Sequence, residues 1–487
     1  MRFERLWGDL ATAPRALPAG YRPILFSILV AAFALRVGVA WFLPSIQHAD
    51  EIYQVAEQAN RAVNGYGIVS WEFQTGSRVA MLPTLLKPIY RLPVSARAHQ
   101  MMASACFAAM SLIPVWVAFG WAGRIYGLRG AILAAGMMAT WFELVYFGPK
   151  PTADAVCSYF FLAALFLARP GAGARSMFVG GASLMIALGL RVQISPAIGL
   201  AFLLMLTAAG RQRLLPLLGG AAAGLAAVGI AEWSWWGVPF GGQIGYLTVE
   251  FVHHASRFFA REPVTFFLKN SVLIYGGVLP VLAFLVWRGS RTSPILLLGA
   301  AALVVPFHFV GHKEYRFVLP AVPLLILSIG LAAGQFVQRF DATRWPRVAF
   351  ALSAGWLMAM GAMSLSDSYR NYWTQDTNRV LAFRDIGQQP DACGVALISM
   401  RWWHTPGYSG IGRDLPIYEV REDDQLVPLL GAANYVLTGP KALPPPAPFV
   451  QWRAYTRPVE YAYRREGGCI PVAGAKVERP EGIPGIN

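Results

Sequence analysis

Charged side chains are scarce in this chain. Asp, Glu, Lys and Arg make up 14% of its 487 residues, against 56% hydrophobic. A soluble domain carries about a quarter of its residues charged, so a soluble globular fold is excluded for most of the chain. In place of charge stand apolar runs near the ~20 residues that cross a bilayer. Acidic residues are scarcer still, 26 against 41 Lys and Arg, which leaves a formal net charge of +15. The arginines lie mainly in short links between apolar runs, so the surplus reads as membrane topology, and nucleic acid is not an expected partner. Cysteine is limited to four residues, too few for a disulfide framework. Cys106 and Cys157 fall in apolar runs as small core residues. Cys393 and Cys469 lie in the polar C-terminal part, where an oxidising compartment would pair them and a reducing one would leave two thiols.

What is present is a periodic array of spans. Helices are expected near 24–43, 98–121, 130–147, 153–168, 176–191, 194–210, 214–233, 268–287, 293–310, 317–335 and 347–365, about eleven in all. The N-terminal residues carry Arg2, Arg5, Arg15 and Arg22, and the run after them is long enough to be retained as an anchor rather than cleaved. Arginine pairs at 124 and 129, 169 and 175, 211 and 213, 288 and 291, and the trio 339, 344 and 347 occupy every second link. Those links are expected in the cytoplasm. An odd span count then puts the C-terminus outside, with two long extracytoplasmic loops, 44–97 and 234–267. Two domains are expected: a transmembrane part over 1–365, and a small extracytoplasmic α/β domain over 366–487, where strand-like runs such as GVALISM and ANYVLTG replace the apolar ones.

Several chemistries have no signature here. The seven histidines are scattered without ligand spacing, and there is no DxD pair, no Gly-rich nucleotide loop and no G-x-S-x-G elbow. No metal or cofactor is expected, nor a soluble nucleotide as donor. The polar residues that do occur collect at one level of the expected topology. Asp50 and Glu51 end HADE (48–51) and open the first outer loop; Trp71, Glu72 and Arg78 lie in SWEFQTGSR (70–78); Lys150 and Asp154 lie in PKPTAD (149–154). Arg191 and Glu232 end the fifth and seventh spans, and His312, Lys313, Glu314 and Arg316 form HKEYR in the link 311–316. Ionisable residues at membrane depth mark cavities or paired functional sites, or else snorkel to the interface, and Arg36 and Arg191 are open to either explanation. Asp50 suits a general base; as the residue before EIYQVAEQANRAV it also suits a helix N-cap. The cations Lys150, Lys313, Arg316, Arg78 and Arg191 suit a phosphate on a membrane-anchored ligand, with ordinary lipid headgroups as the competing partner.

HADE, SWEFQTGSR and HKEYRF resemble the signatures of glycosyltransferase family 22, the multi-span GT-C α-mannosyltransferases of GPI-anchor and lipid-linked oligosaccharide assembly. WHTPGYSG (403–410) resembles a segment in the outer tail of some members. The resemblance implies an α-helical polytopic fold and inverting transfer of mannose from a polyprenyl-phosphate donor to a lipid-linked glycan or glycolipid. It implies Asp50, with Glu51 beside it, as base. His312, Lys313, Glu314 and Arg316, with Arg191 and Lys150, would bind the donor, while Trp71, Glu72, Arg78, Asp154 and Glu232 would serve the acceptor or organise the loops. Ala49 stands where the family usually has proline, and SWEF and GSRV depart from the usual wording, which weakens any transfer of acceptor identity. The Ala- and Arg-rich composition looks bacterial, so the expected place is the inner membrane with the site facing the periplasm, or the ER lumen in a eukaryote. A monomer is expected. The competing expectations are a GT-C enzyme for another sugar and a lipid or polysaccharide transporter; no internal repeat of the transporter kind is visible.

Overall fold

The computed structural model describes residues 3–13, 20–420, 426–439, 442–456 and 459–480; Arg2 and Arg15 of the basic N-terminus lie outside them. The chain divides into two compact units. One comprises Met1–Val39 and Ala105–Arg370, the other Ala40–Ser104 and Asn371–Asn487. Residues 44–97, expected as a loop of the membrane part, thus fold with the C-terminal residues.

Helices occupy all the stretches expected as spans. Among the described residues, five helical stretches are long and apolar enough to cross a bilayer: Tyr21–Phe42, Ala96–Thr140, Val192–Trp236, Phe266–Ser290 and Tyr315–Val337. Ala153–Leu167, Ala174–Leu190 and Pro294–Phe309 are apolar but shorter. Two of the long stretches each carry two expected spans, joined without a loop at Gly127 (φ 65°) and Gly210 (φ 62°).

In the first unit, Ala174–Leu190 packs on Ser195–Trp236 backbone to backbone. A Cβ at Gly220 would lie 1.9 Å from the Phe178 carbonyl oxygen, and one at Gly224 2.6 Å from that of Ala182. Lipid is as apolar as the side chains, so helix pairs in a bilayer are held by such close contact at small residues rather than by hydrophobic burial. Large apolar side chains such as Phe26, Leu203, Leu215 and Phe350 accordingly stay on the outside.

The second unit is built on a five-stranded sheet: β1 (Val395–Ile398), β2 (Ile417–Val420), β3 (Tyr435–Thr438), β4 (Val450–Thr456) and β5 (Val459–Arg464), in the order β2-β1-β3-β5-β4. β1 runs parallel to both β2 and β3, and β5 joins β3 and β4 antiparallel. The two-residue period of a strand divides its side chains between two cores. Val395, Leu397, Ile417, Tyr435, Leu437 and Ala462 face one side, together with Tyr53 and Ile68 from the first long loop. Ala396, Tyr418, Val436 and Tyr463 face the other, with Leu429 and Leu430. Cys393 and Cys469 are joined by a disulfide, which ties the residue before the loop into β1 to the segment after β5.

Candidate active site

In the second unit the motif HADE forms a capped helix start. His48 is extended (φ −149°, ψ 148°) and Ala49–Glu51 is the first turn. Of the two roles open to Asp50, the cap falls instead to His48: its Nδ1 accepts from the Asp50 amide nitrogen at 3.3 Å, because a ring nitrogen can reach the donor that a carboxylate would. Glu51 closes the box from behind, its Oε1 accepting the N–H groups of Gln47 at 2.8 Å and His48 at 3.2 Å. Glu51 is thereby committed to backbone and buried. Asp50 is not: its carboxylate lies 3.1 Å from His48 Nδ1 and 3.4 Å from Arg78 Nη2, with the side chain 17% exposed.

A local reversal brings Arg78 to Asp50. Trp71–Gln74 is one short helix opened by Ser70. The Ser77 N–H then donates back to the Glu72 carbonyl at 2.8 Å, and Gly76 takes φ 67°, a region that side chains with a Cβ resist. Glu72 accepts from Gln54 Nε2 at 2.6 Å. Burial, and next the charge of Asp50, push the Glu72 carboxyl above the usual carboxylate range, while Arg78 opposes the rise.

A buried carboxylate that the sequence did not single out anchors this loop. Glu57 accepts the N–H groups of Ile68 at 2.8 Å, Tyr408 at 3.1 Å and Ser409 at 2.8 Å. Burial raises its carboxyl above the usual range and these donors pull it back. Four residues earlier, on the same helical face, the Tyr53 hydroxyl reaches the carbonyls of Trp402 at 2.6 Å and Thr405 at 2.9 Å. WHTPGYSG is thus the segment that the helix after Asp50 docks on. The shared face of Tyr53 and Glu57 was the available signal, and it was indistinguishable from an ordinary amphipathic helix.

In the first unit three distant pieces of chain make one ion-pair network. Asp154, in the first turn of Ala153–Leu167, has Oδ1 2.8 Å from Arg191 Nε and Oδ2 4.0 Å from Arg316 Nη1. Arg316 Nε lies 2.6 Å from Glu314 Oε2, and Glu314 Oε1 lies 3.0 Å from His312 Nε2. The hydrogen bond that His312 donates to the Glu314 carboxylate raises its affinity for its proton, against the opposing effect of burial. Phe317 lies under Arg191, 5.0 Å from its guanidinium carbon. Arg191 is thus buried and paired, not snorkelling.

The other nominated residues have different partners. Lys313 donates to the carbonyls of Glu262 at 2.8 Å and Val310. Lys150 lies 4.7 Å above the Tyr146 ring, and Glu232 accepts the Gly242 N–H at 3.0 Å, at the start of Gly241–Phe251. Among the described residues no group of three or more His, Cys, Asp or Glu is placed to hold a metal ion.

Membrane-length helices, a small mixed-sheet unit and a carboxylate seated among polar side chains make a polytopic membrane protein with a candidate acid–base residue. Residues 27–411 match the Alg9-like mannosyltransferase family, and the chain belongs to that family. It is 24% identical over 431 residues to GPI mannosyltransferase 3 of Yarrowia lipolytica (strain CLIB 122 / E 150), spanning 82% of this chain and 77% of that protein. Among solved structures it is similar to ArnT from Cupriavidus metallidurans bound to undecaprenyl phosphate, with a TM-score of 0.62, 12% identity, and coverage of 95% of this chain and 99% of that one. The apo form of ArnT gives a TM-score of 0.58 at 13% identity, over 91% of this chain and 98% of that one. At these identities the likeness is one of fold. The protein is a mannosyltransferase, and family membership displaces the transporter alternative.

Proposed function

We propose that the enzyme transfers mannose, with inversion, from a polyprenyl-phosphate donor to a lipid-linked glycan or glycolipid on the extracytoplasmic side of the membrane. The observation that carries this reading is the setting of Asp50: its carboxylate lies 3.4 Å from Arg78 Nη2 and is partly open, in a helix start whose backbone is capped by His48 and Glu51. Such a carboxylate takes the proton from an acceptor hydroxyl as its oxygen bonds to the anomeric carbon. The bond from that carbon to the phosphate oxygen breaks, and its electrons leave with the lipid phosphate. Lys313 and Arg316, with Arg191 and Lys150, are the cations assigned to that phosphate, and Glu314 orients Arg316. Trp71, Glu72, Arg78, Asp154 and Glu232 are assigned to acceptor binding or to organising the loops. A polyprenyl-phosphate donor is supported by the undecaprenyl phosphate held by ArnT, and mannose by the Yarrowia relative. The outward-facing site is supported by the basic links and by the Cys393–Cys469 bridge, which an oxidising compartment favours.

The test is transfer of radiolabelled mannose from polyprenyl-phosphate-mannose in membranes holding wild type or Asp50→Asn. Labelled lipid that depends on Asp50 is expected, and its fragmentation would identify the acceptor. Lys313→Ala and Arg316→Ala should weaken donor binding; undiminished affinity in both would refute their phosphate role. Transfer from a different polyprenyl-phosphate sugar, with none from the mannose donor, would overturn the donor assignment.

A further inference from the structure

The parallel part of the sheet in the second unit contains a topological switch point. The chain leaves β1 for β2 on one side and returns past β1 to β3 on the other, where β3 joins β5. The links that follow β1 and β3 therefore diverge at neighbouring carboxyl ends, and in open α/β sheets such a place is where ligands bind. After β1 the chain turns out at Ser399, with φ 54°, and then presents Arg401, Trp402, Trp403 and His404. The last three form a single helical turn.

Trp402 is committed to the fold. Its ring meets that of Tyr53 edge-on at 4.6 Å, and its carbonyl accepts the Tyr53 hydroxyl at 2.6 Å. Trp403 is 37% exposed. Its flanking neighbours are polar, the Arg401 guanidinium carbon 5.4 Å from its ring centre and the His404 ring 6.3 Å away. A ring that dips into lipid stands instead on an apolar face.

His404 is held from behind. Its Nδ1 lies 3.1 Å from Asp376 Oδ2, and Arg379 bridges Asp376 to the buried Glu460 at 2.5 and 2.8 Å. An imidazole that donates Nδ1–H to a carboxylate keeps Nε2 as an acceptor, here on a side chain that is 46% exposed. Arg401 is matched in turn by Glu419, at 2.7 Å. Cations balanced in this way suit a neutral ligand rather than a phosphate. A pyranose has the required two-sided character: its C–H face can lie on the indole, and its hydroxyls can meet the imidazole and guanidinium.

Backbone pairs bring this end of the sheet to the candidate base. The Ile46 N–H donates to the Gln375 carbonyl at 3.0 Å, and Gln375 Nε2 donates to the Gln47 carbonyl at 3.0 Å. Asp376 thus follows directly on a residue paired to the chain that enters HADE.

We propose that Trp403 and His404, backed by Asp376 and flanked by Arg401, form a saccharide subsite for a neutral hexose of the acceptor glycan. The acceptor as occupant rests on the reaction proposed above; the subsite itself does not.

The test uses the full chain in a detergent without a sugar headgroup, with α-mannobiose binding followed by saturation-transfer NMR in wild type, Trp403→Ala, Trp403→Phe and His404→Ala. Wild type should bind, Trp403→Ala should bind about tenfold more weakly, and Trp403→Phe should recover most of the loss because it restores an aromatic face. His404→Ala should lose a smaller factor. In the transfer assay Trp403→Ala should raise the acceptor KM more than it lowers kcat, the opposite of Asp50→Asn. Undiminished affinity in Trp403→Ala, or no binding by wild type, would overturn the subsite. Displacement of the sugar by inorganic phosphate would overturn its neutral character. Quenching by brominated lipid in reconstituted vesicles, larger in wild type than in Trp403→Phe, would place the ring in the bilayer and overturn the proposal in favour of a membrane contact. Mannose transfer that persists in any of these cases leaves the proposed reaction standing. Trp403-dependent sugar binding with no mannose transfer would sink the reaction and keep the subsite.

Discussion

Asp50 and Asp154 both sit in the first turn of a helix and both face arginine, yet they are built in different ways. The partners of Asp50, His48 and Arg78, come from one stretch of 31 residues, at 3.1 and 3.4 Å, and its side chain is 17% exposed. The partners of Asp154, Arg191 and Arg316, come from separate helices, and all three side chains are buried. A loosely held, accessible carboxylate can give and take a proton. One buried between two arginines is withdrawn from any substrate hydroxyl, so its service is to hold three chain segments in place.

The largest effect that would test this contrast is on turnover. Asp50→Asn should lower mannose transfer by about 10²–10⁴-fold, the range that a positioned base contributes, with little change in melting temperature. If it destabilised the protein as much as the loss of Asp154, the contrast would collapse. Asp154→Ala should show the reverse pattern: a loss of about 3–5 kcal/mol, as when one partner of a buried ion pair is removed, seen as poor yield and a lowered melting temperature before any kinetic effect is measured. Glu57→Ala comes next. It strands the N–H groups of Ile68, Tyr408 and Ser409, at about 1–3 kcal/mol, and limited proteolysis should find the first long loop newly cleavable. Unchanged proteolysis would show that the docking of WHTPGYSG is dispensable.

The smallest effect concerns His312. Its proton affinity is raised by Glu314, so the stability it adds is fully present below the ordinary histidine pKa of about 6.5. That stability fades as pH rises through the elevated folded value. Melting temperature measured from pH 6 upward should fall slightly in wild type, and the fall should be shallower in His312→Gln; identical slopes would remove His312 from the network.

The same contrast explains what could be read in advance. Of the Asp50 cluster, the helix start near 48–51 was legible from its spacing; the turn at Gly76 that returns Arg78 to Asp50 was not read, although it too lies within one short stretch. Asp50 was open as base or as cap, and the cap falls instead to His48, whose ring nitrogen accepts from the Asp50 amide. The residues of the Asp154 network were each noticed as charges in apolar surroundings, but their pairing depends on how helices pack, for which one sequence carries no signal. Glu57 escaped notice for a related reason: a glutamate on an amphipathic helix is normally solvated, and only the docking of residues 405–409 removes it from water.

Composition and spacing by themselves determined that this is a polytopic membrane protein, where its spans lie, and which motifs tie it to a mannosyltransferase family. These follow from local physics: hydrocarbon thickness, helix rise and the cost of charge in lipid. Tertiary structure alone decided that residues 44–97 fold with the C-terminal sheet, that Glu57 is sealed from water by residues 405–409, and that Arg36 is turned inward. Each of those outcomes rests on contacts between segments far apart in the chain, where the free energy of burial and pairing outweighs any local preference.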